Sequence, residues 1–147
     1  MKPYDDSDPD TVLTTYAPGK TTIGYGYLIR KRDWDIYKDG ITKEKASALF
    51  DTALKPFEKA VDSKLLYHVS QQQFDAAVIM AYNIGAGKFK NSSAAKLIND
   101  PKAKTSYETL DAAWLAYNIS GGKKLKGLTN RRKCELKIYH KGVYKKW

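Results

Sequence analysis

The chain is poor in the residues that build metal and redox sites. Among its 147 residues it has one cysteine, Cys134, and two histidines, His68 and His140. A single cysteine cannot form an internal disulfide, and with so few imidazoles beside it a zinc site is improbable. We therefore expect no metal site and no other cofactor.

Long apolar runs are also missing. No stretch of the sequence approaches the roughly 20 consecutive apolar residues that a membrane-spanning helix needs. The first six residues turn acidic at once and lack the apolar segment of a signal peptide. These absences predict a protein without a membrane span that is made in the cytoplasm and is not exported by a Sec-type signal.

Positive charge is abundant instead. The chain has 26 Lys and Arg against 16 Asp and Glu, a formal net charge of +10, with clusters in residues 123–126 and 131–133. A field of this sign favours polyanions such as nucleic acid, anionic lipid surfaces or acidic wall polymers, but it also simply keeps a domain soluble. Because no helix-turn-helix, zinc-finger or aromatic RNA-reading motif is present, we expect no specific nucleic-acid binding.

Two kinds of periodicity divide the chain. Up to about residue 40, β-forming and turn-forming residues dominate, whereas apolar residues at helical spacing dominate from about residue 41. No linker or internal repeat separates the two parts, and the length suits one domain. The sequence therefore predicts a single α+β domain over residues 1–147, with a small β-rich lobe (about 1–40) followed by a mainly helical lobe (about 41–147).

Capping signals predict several helix boundaries. Thr42 is a plausible N-cap for a helix that Pro56 should kink or break near residues 53–55. Residues 70–73 form a capping-box pattern, with a hydroxyl at the N-cap and Gln at the third helical position. The helix that follows should end at the glycines from Gly85 onward.

Further signals lie in the C-terminal third of the chain. Residues 105–108 form a second capping-box pattern, which predicts a helix directly behind it. Residues 121–127 read as a basic loop rich in glycine. We expect the last helix to begin at about residues 129–130 and to end at Gly142.

One stretch near the start combines polar groups with glycines. Asp6 is followed, after a polar loop, by residues 21–27, which we expect to form an extended strand with Gly24 and Gly26 at alternate positions. Glycines there let another backbone or a ligand come close. From the residues alone, Asp6 is more often a turn residue than a catalytic one, and Thr22 is more often an ordinary strand residue.

Together with several later stretches, these residues resemble the phage-type lysozymes, or endolysins, which are muramidases. Asp6 and residues 22–26 resemble the active-site hairpin of that family. Residues 73–85 resemble its central helix with a glycine stop, and residues 121–135 resemble its C-terminal signature. The resemblance covers nearly the whole chain in the family's order, and it implies a lysozyme-like fold with a cleft between the two lobes.

The resemblance also implies a reaction, the hydrolysis of the β-1,4 bond between N-acetylmuramic acid and N-acetylglucosamine in peptidoglycan. Such cleavage needs an acid that protonates the leaving oxygen and a carboxylate that activates water or stabilises the oxocarbenium-like charge. By resemblance Asp6 is the carboxylate and Thr22 helps to hold the water. The expected substrate-binding residues are Tyr25, Gly26, Asn83 and Asn130.

The family's general acid has no counterpart in the printed sequence. It is a glutamate on a short helix ahead of the aspartate, a position that falls before Met1. Three explanations stay open: a shortened form of an active enzyme, a catalytically dead relative that binds glycan, or the use of an unmatched carboxylate such as Asp5. None of the glutamates in the chain matches the motif: Glu44, Glu58, Glu108 and Glu135.

The resemblance implies bacterial peptidoglycan as the partner, and the positive charge suits contact with an anionic membrane or wall polymer. We expect a monomer that stays in the bacterial cytoplasm until it is released to the wall. The alternatives are a non-catalytic glycan-binding module of the same fold and a basic nucleic-acid-binding protein. Arg131 and Arg132 have two interpretations, contact with anionic glycan or a structural ion pair with Glu135.

Overall fold

A four-stranded sheet comes first in this chain, and helices with one later two-stranded hairpin follow. The computed structural model describes residues 1–6, 8–65 and 69–144. Contacts group the chain into two units, Met1–Lys55 and Pro56–Trp147, of which the first carries a four-stranded sheet and the second is mainly helical. The predicted α+β class is confirmed, while the assignment of both units to a single domain stays a prediction.

The sheet of the first unit is antiparallel and has the strand order β2-β1-β3-β4. Tyr4 on β1 pairs with Thr22 on β3, and Thr22 pairs with Leu28 on β4, so β1 and β3 are the two inner strands. The strands comprise Tyr4–Asp5 (β1), Asp8–Val12 (β2), Thr21–Ile23 (β3) and Tyr27–Leu28 (β4).

The expected continuous strand over residues 21–27 is wrong, because β3 ends at Ile23 and the next three residues form the turn of a hairpin. Gly24 has φ +64° and Gly26 has φ +96°, a left-handed conformation that side-chain-bearing residues rarely adopt. A Cβ on Gly24 would lie 3.1 Å from the Cβ of Ala46. The close approach that Gly24 permits is therefore to a helix of the same unit.

A 3-10 turn at Lys31–Asp33 and a short helix, α1 (Trp34–Tyr37), follow the sheet, and neither was predicted from the sequence. Three buried side chains form the core of this unit, with three partly buried ones packed around them. Burial of Tyr37 in that core accounts for the short α1. The core residues are Ile23, Ile29 and Tyr37, surrounded by Tyr27, Ile41 and Leu49.

The next helix, α2 (Lys43–Lys64), begins where the sequence predicted, since Thr42 Oγ1 accepts a hydrogen bond from the Lys45 amide at 3.1 Å. Of the predicted kink or break at Pro56, the break is wrong, because the helix continues through it, and the kink stays a prediction. Proline removes one backbone donor, but the turns beyond it are held by burial of Val61, which is fully shielded from solvent. Packing there outweighs one missing hydrogen bond.

The second unit is built mainly from helices that end or begin at glycines and hydroxyl residues. No described helix in either unit is long and apolar enough to cross a membrane. The helices are α3 (Gln71–Ile84), α4 (Ala86–Lys90), α5 (Ser93–Asn99), α6 (Leu110–Leu115) and α7 (Lys126–Lys141), and a two-stranded sheet is formed by β5 (Ile119–Ser120) and β6 (Lys123–Lys124).

The capping box at the start of α3 is confirmed. Ser70 Oγ accepts from the Gln73 amide at 3.2 Å, and Gln73 Oε1 accepts from the Ser70 amide at 2.9 Å. The helix ends before Gly85, whose φ of +104° stops it as predicted. The chain then continues directly into α4, a helix that was not predicted from the sequence.

The second predicted capping box is wrong. Thr105 Oγ1 accepts from the Tyr107 amide at 3.1 Å and donates to the Tyr107 carbonyl at 2.7 Å, which closes a local turn. The cap of α6 is Thr109, whose hydroxyl accepts from the Ala112 amide at 3.1 Å. Threonines near one another offer several hydroxyls, and the one that caps is the one just ahead of the buried face of α6.

The predicted basic loop and the start of the last helix also need correction. Gly121 and Gly122, at φ +58° and +76°, form the two-residue turn of the β5–β6 hairpin. The last helix, α7, begins at Lys126 rather than near residues 129–130, so Thr129 lies in its first turn. Its predicted end at Gly142, with φ +67°, is confirmed.

Candidate active site

The carbonyl oxygen of Lys20 accepts hydrogen bonds from Asp6 and Thr22, the two residues predicted to be catalytic. It accepts a hydrogen bond from the Asp6 amide at 2.9 Å, which extends the β1–β3 ladder by one bond. It also accepts from Thr22 Oγ1 at 3.2 Å. The backbone amide of Asp6 and the hydroxyl of Thr22 therefore share one backbone oxygen as their acceptor.

The two side chains have different environments. Asp6 lies just beyond β1 with an exposed side chain, while its backbone is fixed by the Lys20 carbonyl. Thr22 is only 1% exposed. Because its hydroxyl hydrogen points to Lys20, the oxygen of Thr22 keeps its lone pairs available to a donor.

A neighbouring threonine, which the sequence did not single out, holds the turn that leads into β3. Thr21 is fully buried, and its Oγ1 both accepts from the Ala17 amide and donates to the Ala17 carbonyl, at 2.8 Å each. This pair of bonds fixes residues 17–21 as a turn and thereby places the Lys20 carbonyl. Thr21 therefore has a structural role.

Tyr25 and Gly26, the predicted substrate-binding residues of this unit, lie in the hairpin turn. The Tyr25 ring is 41% exposed and packs against the Phe50 ring of α2, with centroids 5.8 Å apart. Tyr4 supports the same turn, since its hydroxyl donates to the Gly24 carbonyl at 3.3 Å. An aromatic face is thus partly open to solvent beside a glycine turn.

In the second unit Asn83 belongs to a buried polar network. Arg132 Nη2 donates to Asn83 Oδ1 at 2.8 Å and to Glu135 Oε2 at 2.7 Å. The other carboxylate oxygen of Glu135 accepts from Trp114 Nε1 at 3.0 Å, and Arg132 Nη1 donates to the Tyr117 carbonyl at 3.3 Å. The network ties α3, α6 and α7 together.

Burial decides between the two interpretations of Arg132. Its side chain is fully buried, so it cannot contact a glycan directly, and the predicted ion pair with Glu135 is confirmed. Among the described residues, its Nε has no hydrogen-bond partner. Burial raises the pKa of Glu135 above its ordinary value, while Arg132 and the Trp114 hydrogen bond oppose that rise.

The remaining predicted residue, Asn130, lies half-buried on α7, two positions before Arg132. Near it, Asn118 Nδ2 donates to Thr129 Oγ1 at 3.1 Å and fixes the base of the β5–β6 hairpin to α7.

In the part of the chain that the structure describes, no three His, Cys, Asp or Glu side chains come together as metal ligands would.

Comparison with known proteins gives consistent matches. The family model of phage lysozyme matches residues 6–135. An endolysin of Bacillus phage PZA is 34% identical over 125 residues, which is 84% of this chain and 45% of that protein. The endolysin of Bacillus phage B103 matches to the same extent, at 34% identity and 44% of its length.

Solved structures give the same result. The endolysin from Escherichia coli O157:H7 phage FAHEc1 has a TM-score of 0.71 at 28% identity, covering 99% of this chain and 85% of that one. The muramidase domain of SpmX from Asticaccaulis excentricus has a TM-score of 0.68 at 25% identity, covering 86% and 84%. The chain spans less than half the length of the two Bacillus phage relatives. With 130 residues matched in a single span, from 6 to 135, the chain belongs to the phage lysozyme family.

Proposed function

We propose that this chain forms the lysozyme part of a peptidoglycan hydrolase, a muramidase that cleaves the β-1,4 bond between N-acetylmuramic acid and N-acetylglucosamine. The observation that carries the proposal is the pairing of Asp6 and Thr22 around the Lys20 carbonyl. Family membership supports it, as do relatives that are endolysins and a neighbour that is a muramidase domain.

The hydrogen-bond pattern suggests how these two residues act. Since Thr22 donates to Lys20, it meets a water molecule as an acceptor. The Asp6 carboxylate is an acceptor as well, so the two residues take the two hydrogens of one water. The lone pairs of that water are then left to face the anomeric carbon. Asp6 accepts the proton as the carbon–oxygen bond forms, which is the role of a general base.

The general acid belongs, in this proposal, to a glutamate on a helix ahead of Asp6. Glu135 is unsuited to the role because its two oxygens are engaged by Arg132 and Trp114 within the second unit. A buried carboxylate whose two oxygens both accept hydrogen bonds within the protein is not placed to deliver a proton to a leaving sugar oxygen.

The proposed substrate-binding residues divide between the units. In the first unit the partly exposed ring of Tyr25 suits stacking on the apolar face of a sugar, and Gly26 has no side chain that would obstruct the approach of a sugar. In the second unit we assign Asn83 and Asn130 to hydrogen bonds with sugar oxygens. Each assignment stands on exposure and chemistry within its own unit.

We further propose that the protein reaches the wall as a monomer, after release from the bacterial cytoplasm. The net charge of +10 favours contact with anionic wall polymers and membrane surfaces. Such contact concentrates the protein at its polymeric substrate but carries no catalytic role.

Turbidity clearing of a peptidoglycan suspension tests the function. The experiment compares the 147-residue chain with the same chain preceded by a short glutamate-bearing helix, and with that fusion carrying Gln for the added Glu. We expect clearing by the glutamate fusion alone. Pull-down by peptidoglycan without clearing in all three would instead identify a binding module, and neither binding nor clearing would refute the proposal.

A further inference from the structure

The side-chain amide of Asn83 is held in one orientation by its neighbour on α7. Arginine carries hydrogen-bond donors and no acceptor. The atom of Asn83 that lies 2.8 Å from Arg132 Nη2 must therefore be the carbonyl oxygen, since an amide nitrogen would face another donor. The chemistry of the pair settles which way the amide points.

The other end of the amide is left for a different partner. Asn83 Nδ2 makes no hydrogen bond to any residue that the structure describes, and the side chain is half-buried rather than sequestered. An amide nitrogen brings two donors. At this position Asn83 therefore presents N–H groups and no oxygen, which selects for an acceptor on a ligand.

Arg132 is itself held rigidly. Its Nη2 also donates to Glu135 Oε2, and Trp114 Nε1 holds the second oxygen of that carboxylate. Because the guanidinium and the carboxylate are buried, neither can swing to solvent without breaking a desolvated ion pair. The orientation of Asn83 is thus fixed from a buried charge pair.

We propose that Arg132 is a positioning residue that turns Asn83 so that its Nδ2 donates to an acceptor oxygen of the glycan, the acetamido carbonyl being the strongest neutral acceptor in an N-acetylated sugar. This inference rests on the proposed function, because it takes the ligand to be an amino-sugar polymer. It assigns binding to Asn83 and orientation to Arg132, without any contact between Arg132 and the ligand.

The test is an NMR titration with a GlcNAc–MurNAc tetrasaccharide, in the Asp6→Asn background so that no cleavage competes. Asn83→Asp keeps the contact with Arg132 but replaces the donor by an oxygen. We expect the dissociation constant to rise about tenfold, because one hydrogen bond is lost and the new carboxylate oxygen faces the acceptor oxygen of the sugar. The matched control is Asn91→Asp, which adds the same negative charge at an exposed position. Equal affinity of Asn83→Asp and the control would overturn the inference.

A second set of variants separates positioning from general support of the fold. Arg132→Lys keeps a cation beside Glu135, but it loses the Nη1 bond to the Tyr117 carbonyl and with it the rigid plane that aims Nη2 at Asn83. We expect it to weaken binding severalfold and to abolish the ligand-induced shift of the Asn83 side-chain NH₂ signals. In an Asn83→Ala background the same change should have no further effect on the dissociation constant. Equal losses in both backgrounds would show that Arg132 acts through the fold alone.

The outcomes distinguish this inference from the function on which it rests. If the parent chain fails to bind the tetrasaccharide, the proposed function fails and the inference with it. If the parent binds and Asn83→Asp binds equally well, only the inference fails. Should Arg132→Lys not fold, as judged by circular dichroism, the comparison of Asn83→Asp with Asn91→Asp still decides the matter.

Discussion

A single backbone oxygen organises the candidate catalytic residues. The Lys20 carbonyl accepts from both Asp6 and Thr22, and the Thr21 hydroxyl fixes the turn from which that carbonyl projects. Thr21 thus shapes the turn, while Asp6 and Thr22 are the two residues proposed for catalysis. Substitutions at these neighbouring positions should therefore have different consequences.

Asp6→Asn should abolish most activity and leave stability nearly unchanged. The carboxylate is exposed, so its replacement costs within about 0.5 kcal/mol of unfolding free energy, whereas loss of a general base lowers turnover by about 100-fold or more. Clearing rate and melting temperature measure the two effects in the glutamate-bearing fusion. The exposed Asp10, on the neighbouring strand, supplies the control Asp10→Asn. Retained activity with a large stability loss in Asp6→Asn would make Asp6 structural.

Thr21→Val and Thr22→Val form a matched pair. The first removes two hydrogen bonds to Ala17 and should destabilise the chain by about 1–3 kcal/mol. The second removes one longer bond to Lys20, for which we expect below about 1 kcal/mol, together with a roughly tenfold slower clearing rate if its oxygen holds the water. Urea unfolding and clearing assays measure both. A slower rate in Thr21→Val alone would contradict the role assigned to Thr22.

Glu135→Gln should change how stability depends on pH. Burial raises the pKa of Glu135 above its ordinary value of 4.5, so between the two pKa values the folded chain binds more protons than the unfolded chain. Stability contributed by this group is then lost as pH rises through that window, and glutamine has no proton to lose. The difference in unfolding free energy, parent minus Glu135→Gln, should fall from about pH 4.5 upward and then level off. A difference that rises over that range, measured by urea unfolding, would show that Arg132 dominates.

At the scale of elements, local signals predicted boundaries and long-range packing altered them. The capping box at Ser70 and the end of α7 at Gly142 were predictable because both depend on contacts between residues a few positions apart. Pro56 predicts a kink or a break because its effect on the backbone is local, whereas α2 beyond it is supported by contacts far along the chain, such as that between the Phe57 and Tyr82 rings. The early start of α7 at Lys126 has no side-chain cap, so no cap signal was there to find.

The two sequence patterns that look like capping boxes should respond differently to mutation. Ser70→Ala removes the acceptor for the Gln73 amide at the start of α3 and should cost about 1 kcal/mol of unfolding free energy. Thr105→Ala removes only the bonds of a local turn at Tyr107, for which we expect within about 0.5 kcal/mol. Urea unfolding compares them. Equal costs would mean that Ser70 contributes no more than a turn hydroxyl.

At the scale of the whole molecule, the sequence predicted the α+β class and nominated Asp6 and Thr22 through the order of several motifs. It did not predict the contact between Arg132 and Asn83, which are 49 positions apart. A pattern of neighbouring residues indicates a pair such as Arg132 and Glu135, three positions apart on one helix. Nothing in such a pattern shows which distant amide the same guanidinium will hold.

The chain spans less than half of its Bacillus phage relatives, so the reaction is best established on the protein's own products. The most direct measurement is mass spectrometry of the fragments that the glutamate-bearing fusion releases from purified peptidoglycan, after reduction of the new sugar ends. A muramidase leaves N-acetylmuramic acid at the reducing end, and we expect reduced N-acetylmuramic acid that disappears in Asp6→Asn. Reduced N-acetylglucosamine, free peptides, or products that persist in Asp6→Asn would contradict it.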